Sequence, residues 1–444
     1  MKKLVKNAAI IAVGGVITKL LGAVYRIPLT NILGAEGIGL YQMVFPFYCI
    51  LLTLSSTGIP SAIAKLTASG EKNLLRKSVV LFGGAGLIAS LIMYFGAPLI
   101  ARAQGNALAA LSYKTLSPSV LLVSIISCFR GYYQGRQNVV PTALSQIIEQ
   151  VVKLGAGLGL CLNFGETVAE KAALATLAVT GSEVVALLYL LLKKREKPTG
   201  ERSIEYKKLV FTVFPIILST ITLPFSKAVD SFTVVNLLKF DASVSTKLYG
   251  LYSGVVESIV AMPVAVCYSL AVSGLPLIAK SVAEKGSTND GKRMIAYTLY
   301  LSAAFAVAVF LASGLIIKTL YPNLGDEYTE TAIRLLQISS ASVVGLSLVQ
   351  SYSAYFIGKG KLYVPFLSMI VGVACKLLLA INIVPLDGVG VFGYAFSDII
   401  CYFVATICFL LYSIRDKNKA IGEKNEIVLN RSWRQKRGYI GKRV

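Results

Sequence analysis

Long uninterrupted apolar stretches, separated by short polar connections, run from one end of the chain to the other. A bilayer hydrocarbon core of about 30 Å is crossed by about 20 helical residues, each rising about 1.5 Å. Twelve stretches reach that length, near residues 8–33, 37–63, 78–101, 113–134, 141–163, 172–192, 209–238, 249–279, 294–320, 331–357, 362–384 and 389–413. Open strands cannot cross lipid, where each unpaired backbone group costs several kcal/mol, and these stretches are too long and continuous for barrel strands. The pattern predicts an all-α polytopic membrane protein with about twelve transmembrane helices. Its first stretch starts basic, as a signal peptide does, but continues past signal length without a small-residue cleavage site and reads as a spanning helix.

Composition narrows the chemistry. Of 444 residues, 55% are hydrophobic and 15% charged, against about 25% charged in a soluble domain, so no separate water-soluble unit is expected to carry a reaction. Histidine is absent, which removes the commonest metal ligand and the usual general base at neutral pH. The seven cysteines (Cys49, Cys128, Cys161, Cys267, Cys375, Cys401 and Cys408) all fall in apolar stretches without CxxC spacing. Neither a disulfide framework, a metal site nor a cofactor is expected. A glycan polymerase or ligase would need an outer catalytic loop, and the outer connections are short, so no enzyme is expected.

Charge gives orientation. With the amino terminus inside, 32 of the 44 Lys and Arg fall in inner segments and 7 in outer ones. That bias places both termini in the cytoplasm. It also accounts for the net charge of +22 as topology signal and attraction to anionic lipids, leaving no need for a nucleic-acid partner.

The longest hydrophilic connection divides the chain into a first six-helix lobe (1–192), a basic cytoplasmic linker (193–208), a second six-helix lobe (209–413) and a basic tail (414–444). The halves share markers. Gly58-Ile59-Pro60 followed by Ile63-Ala64-Lys65 parallels Gly274-Leu275-Pro276 followed by Ile278-Ala279-Lys280. Tyr132 to Gly135, Pro141 and Lys153 parallel Tyr355 to Gly358, Pro365 and Lys376, with 18 residues from Gly to Lys in both halves. Two similarly oriented halves are the parallel-repeat plan of transporters, in which the site lies between the halves and access alternates by rocking.

The stretch from Lys19-Leu20-Leu21-Gly22 through Tyr25-Arg26-Ile27-Pro28-Leu29-Thr30 and Gly34-Ala35-Glu36-Gly37-Ile38-Gly39-Leu40-Tyr41-Gln42, with Phe129-Arg130-Gly131-Tyr132-Tyr133-Gln134-Gly135, Gln146 and Glu149-Gln150 beyond it, resembles the stage V sporulation protein B group. That group of polysaccharide-biosynthesis membrane proteins belongs to the multidrug/oligosaccharidyl-lipid/polysaccharide exporter superfamily. The resemblance implies two pseudo-symmetric lobes in a V, and flipping of a lipid-linked cell-wall or polysaccharide precursor such as lipid II, alongside cell-wall synthesis machinery. Lipid II flippases of this superfamily carry cations in the first helix. Lys19 matches one such position, while Arg26 sits a residue away from the next. They usually have two further carboxy-terminal helices for the lipid tail, where this chain has its basic tail.

The residues support part of this independently. Lys19, Gly22 and Arg26 share one helix face by their spacing. Two cations without an acid on that face would each cost roughly 2.5 to 3.5 kcal/mol in hydrocarbon, so they should face water or an anion. A pyrophosphate suits an Arg fork and a Lys point charge. Arg26 could instead snorkel to the outer interface, and Pro28 could kink the helix. Gln146, Glu149, Gln150 and Lys153 form a stripe on the fifth span, with Glu149 and Lys153 spaced as an intrahelical pair. Lys227 and Asp230 are spaced likewise, while Glu183, Glu257 and Asp398 lack a partner within a turn. Buried carboxylates of this kind could carry a proton or ion, or form interhelical bridges to Lys153 or Lys376. Arg130, at an inner helix end, fits phosphate capture or topology. A cation-coupled drug exporter of the same superfamily remains the alternative, because basic and acidic intramembrane residues balance.

Overall fold

The computed structural model describes residues 2–54, 59–68, 73–194, 205–285, 289–361 and 363–440. Helix occupies all twelve predicted spans among these residues. In chain order the helices are α1 (Lys2–Leu52), α2 (Ile59–Ala68), α3 (Leu74–Ala103), α4 (Ala110–Gly135), α5 (Val140–Asn163), α6 (Val168–Leu192), α7 (Tyr206–Thr220), α8 (Thr222–Leu237), α9 (Ala242–Tyr249), α10 (Glu257–Lys285), α11 (Asn289–Leu320), α12 (Asp326–Gly358), α13 (Tyr363–Ile383) and α14 (Gly390–Ile440). Nine helices among the described residues are long and apolar enough to cross a membrane. The Lys19 side chain, Gly58, most of the 193–208 linker and the tail's last residues lie outside what is described.

Local geometry refines the sequence reading. Pro28 does not break the first span: the helix runs through it, reinforced by bonds from Thr30 Oγ1 to the Arg26 carbonyl (2.9 Å) and from Asn31 Nδ2 to the Ile27 carbonyl (3.2 Å). The reversal between the first two spans falls at Gly34, whose φ of 64° suits a residue without a Cβ. The seventh span is two helices that meet at Ile221. The eighth contains a π-helical stretch, Gly250–Val256, between α9 and α10, and such irregular turns concentrate at functional sites. The expected basic tail begins as a continuation of α14, which stays helical to Ile440.

One buried core joins Leu40, Met43 and Tyr113 to Val234, Leu251, Leu335 and Tyr394, and two smaller ones lie mainly within one half each. Ile59, Ile63, Phe82, Phe129 and Leu190 form a core among α2, α3, α4 and α6, and α7 joins it through Leu209 and Val213. A matching core in the second half gathers Ile278, Tyr352, Phe356, Met369 and Phe409 from α10, α12, α13 and α14. Between the halves, close contacts gather at the predicted outer end. There α1 beyond Gly34 lies directly on α9 and the π stretch. A side chain in place of Gly250 would run into the Ala35 carbonyl and the Gly39 backbone, so the two helices approach as only small residues allow. Amide side chains complete the contact: Gln42 Nε2 donates to the Ser253 carbonyl (3.0 Å), Gln104 Nε2 to Ser231 Oγ (2.9 Å), Asn106 Nδ2 to Thr246 Oγ1 (2.8 Å) and Asn236 Nδ2 to the Ala103 carbonyl (2.8 Å).

Candidate functional site

Below this outer contact the halves enclose a cavity of about 390 Å³. One wall is α1, with Arg26, Gln42, Phe45 and Cys49; the other comes from α8, α10, α12, α14 and the π stretch, including Lys227, Tyr252, Glu257, Asp398 and Tyr402. Arg26 lies eight residues before Gly34, about 12 Å by helical rise, so it sits well inside the bilayer span. Its Nη1 donates to Ser258 Oγ at 2.8 Å across the boundary between the halves. It therefore faces the cavity rather than snorkelling outward. Among the described residues it has no acidic partner.

The opposite wall holds a five-membered charge cluster. Lys376, with its side chain 1% exposed, pairs with Asp398 at 2.6 Å and with Asp230, both 3% exposed. Lys227 pairs with Asp230 (3.4 Å), Asp398 (3.2 Å) and Glu257. Tyr252 donates to Asp398 Oδ2 at 2.6 Å, Tyr402 to the same oxygen at 3.3 Å, and Tyr394 to Asp230. The expected Lys227–Asp230 pair is thus present, and Asp398 finds Lys376 as an interhelical bridge. Glu257, without a partner within a turn by sequence, meets Lys227 across helices. Carboxylate oxygens of Asp230, Glu257 and Asp398 lie within 4.8 Å of one another, as around a metal ion. Two ammonium groups already bridge them, so this donor set is occupied by the chain's own cations.

In the first half the partners differ from those the spacing suggested. Glu149 pairs with Arg130 Nη2 at 2.9 Å rather than with Lys153, and Arg130 Nε also donates to Ser145 Oγ at 3.0 Å. Lys153 instead sits 5.5 Å from the centre of the Tyr25 ring. The interhelical geometry wins because Arg130 approaches Glu149 from α4 with a fork, whereas an i,i+4 pair on one helix contributes only about 0.3 to 0.5 kcal/mol. Gln150 is buried beside Gly22 of α1, and Gln146 is half-buried. Glu183 is fully enclosed and accepts hydrogen bonds from Tyr48 (3.0 Å) and Ser119, with hydroxyls rather than a cation in contact.

Sequence reasoning missed the tyrosines. Tyr394, Asp398 and Tyr402 stand four apart on α14, one stripe on one face, and that spacing was the available signal. Tyr252 and Ser258 carry no comparable mark.

The sequence model for the family described as polysaccharide biosynthesis protein matches residues 4–282. Three relatives come from Bacillus subtilis (strain 168). The uncharacterized membrane protein YabM is 29% identical over 432 residues, spanning 93% of this chain and 80% of its own length. Stage V sporulation protein B is 30% identical over 314 residues, 63% of this chain and 59% of its own. Lipid II flippase MurJ is 25% identical over 429 residues, 86% and 78% respectively. Two solved structures share the architecture. An inward-facing multidrug resistance MATE family transporter of the MOP superfamily superposes with a TM-score of 0.76 at 17% identity, over 91% of this chain and 96% of that one. Lipid II flippase MurJ in an inward closed conformation gives 0.69 at 14% identity, over 91% and 87%. With its helices in that exporter architecture and the family's sequence pattern across more than half its length, the chain is a member of the polysaccharide biosynthesis protein family of multi-pass membrane proteins.

Proposed function

We propose that this protein flips a lipid-linked precursor of the undecaprenyl-pyrophosphate type, lipid II or another cell-wall or polysaccharide glycan, from the inner to the outer leaflet by rocking of its halves. The observation that carries this reading is Arg26: a guanidinium inside the span, turned into the cavity between the halves and held by a serine rather than an acid. A cation in that position is costly unless an anion visits it, and its fork suits a phosphate. The kinship with a lipid II flippase and a sporulation protein is consistent with such a substrate. Lys19 would extend the cationic face toward the cytoplasm, while Lys153, Gln146, Glu149 and Arg130, which do not line the present cavity, would join the substrate path on the first-half side as the halves rock. Glu183, Asp230, Glu257 and Asp398 are the carboxylates available for ion or proton coupling. The cytoplasmic termini and the attraction to anionic lipids follow from the same charge bias.

The test is flipping of lipid II in proteoliposomes containing this protein alone. Arg26→Ala should lose one charge-assisted contact of about 1.5 to 3 kcal/mol, which is tenfold or more in substrate binding, and Arg26→Lys should be intermediate because it keeps charge without the fork. Undiminished flipping by Arg26→Ala would sink the anion site. The drug-exporter reading rests on Glu257, Asp398, Tyr252 and Tyr402 in the same cavity. Uptake of a cationic dye that depends on Glu257, without lipid II flipping, would replace the first reading with that one.

A further inference from the structure

The five charges of the second-half cluster do not balance. Lys227 and Lys376 neutralise two carboxylates, and Asp230, Asp398 and Glu257 make three. The two aspartates are sealed in, with side chains 3% exposed, bridged by the enclosed Lys376 and capped by tyrosine hydroxyls. Together with Lys227 they already form a neutral set. Glu257 is the surplus anion. It and Lys227 are the more exposed members at the cavity wall, their side chains 21% and 29% exposed, while Asp398, which also lines the cavity, is 3% exposed. Glu257 is also the first residue after the π-helical stretch, and Ser253 Oγ, within that stretch, donates to it at 3.2 Å. A helix start beside an irregular turn can shift without unwinding a regular helix.

Resting on the phosphate-binding reading above, we infer that Lys227 is the second anion contact of the cavity and that Glu257 is its resident counter-ion, displaced when a diphosphate group binds. The physical requirement is that of any carrier whose cationic site must turn over in a low-dielectric setting. An ammonium bridged only on its buried side by Asp230 and Asp398 leaves its cavity face uncovered in the empty protein, and a fixed anion over that face is expensive in the loaded one. A carboxylate on a movable helix start meets both conditions. It covers Lys227 when the cavity is empty and withdraws toward Ser253 and water when phosphate oxygens take its place. Arg26, bonded to the neighbouring Ser258, then grips the same group from the first half. Lys227 keeps Asp230 and Asp398 in either state, so its position does not depend on the ligand.

Binding of fluorescent farnesyl diphosphate to the full chain in detergent tests this, with farnesol and inorganic pyrophosphate as competitors. Glu257→Gln removes the competing charge and should tighten binding about tenfold. Lys227→Gln should weaken it about tenfold, and the double variant should bind like Lys227→Gln, since a counter-ion matters only while its cation is present. Thermal melting of each variant checks folding, and Glu257→Asp, which keeps the charge on a shorter arm, should fall between wild type and Glu257→Gln. Equal or weaker binding by Glu257→Gln, or tightening that survives in the double variant, overturns the counter-ion role while leaving Arg26 untouched. Competition by inorganic pyrophosphate supports a contact open to phosphate of any source; displacement by farnesyl diphosphate alone supports one reserved for the lipid-linked form. Competition by farnesol as strong as by the diphosphate overturns the anion contact. Failure of the wild-type protein to bind the probe removes the phosphate-binding reading itself.

Discussion

Lys376 shows what burial does to a charged residue. Its ammonium is enclosed between Asp230 and Asp398, and a buried pair that loses one partner leaves a charge without compensation, at about 3 to 5 kcal/mol. Lys376→Met should therefore lower the melting temperature of the detergent-extracted protein sharply, and adding Asp398→Asn should recover much of the loss. A single variant that melts with wild type would mean that these bridges do not hold α8, α13 and α14 together. The residues of this cluster were legible as charges in the sequence, and Lys227 with Asp230 even as a pair. Their interhelical partners were not, because spacing reports only neighbours on one helix, whereas Asp398 meets Lys376 from 22 positions away and Lys227 from 171. The same limit explains Glu149, whose sequence neighbour Lys153 lost to Arg130 on another helix.

At the scale of elements, the spans were readable because apolar length alone decides what can cross lipid, but their irregularities were not. Pro28 marked a possible kink in the first span, yet the helix runs through it, whereas the turn at Gly34 falls in the 34–36 connection that the apolar pattern left between the first two spans. A proline in a membrane helix can be accommodated by side-chain bonds to nearby carbonyls; a reversal needs the positive φ that glycine permits. The π stretch left no sequence mark. The packing of Gly250 on α1 yields a direct test. Gly250→Val places branched carbons where the Ala35 carbonyl and Gly39 now sit, and the helices must part. A cysteine placed at Thr246, which is fully buried against Gly39 in the same contact, should then become reactive toward a water-soluble maleimide where it was protected before. Continued protection would show that this contact tolerates bulk and is not the close approach described.

The molecule as a whole carries its orientation in its charges. An impermeant thiol reagent added to intact cells should modify cysteines placed at the exposed Asn323 and Asp387, and should spare one at Lys194. Modification at Lys194 would reverse the assignment of sides. Asn106, another residue of the predicted outer side, is a poor reporter because it is buried against Thr246. The paired glycine, proline and lysine markers suggest a division into halves. The cavity between them was not legible, since it is formed by surfaces from different helices whose relative placement no local pattern encodes.

The composition of the outer contact has a further consequence for opening. Gln42, Gln104, Asn106 and Asn236 join the halves through amide hydrogen bonds, and around them Leu40, Met43 and Val44 of α1 share one buried apolar cluster with Val235, Leu251 and Val255. When such a junction separates, water replaces each lost bond, so every one contributes only about 0.5 to 1.5 kcal/mol to staying shut. The apolar side chains beside them add the cost of wetting hydrocarbon. Parting the junction is therefore opposed mainly by that cluster rather than by the amides, and a ligand drives the exchange only in so far as it binds the open form better than the shut one.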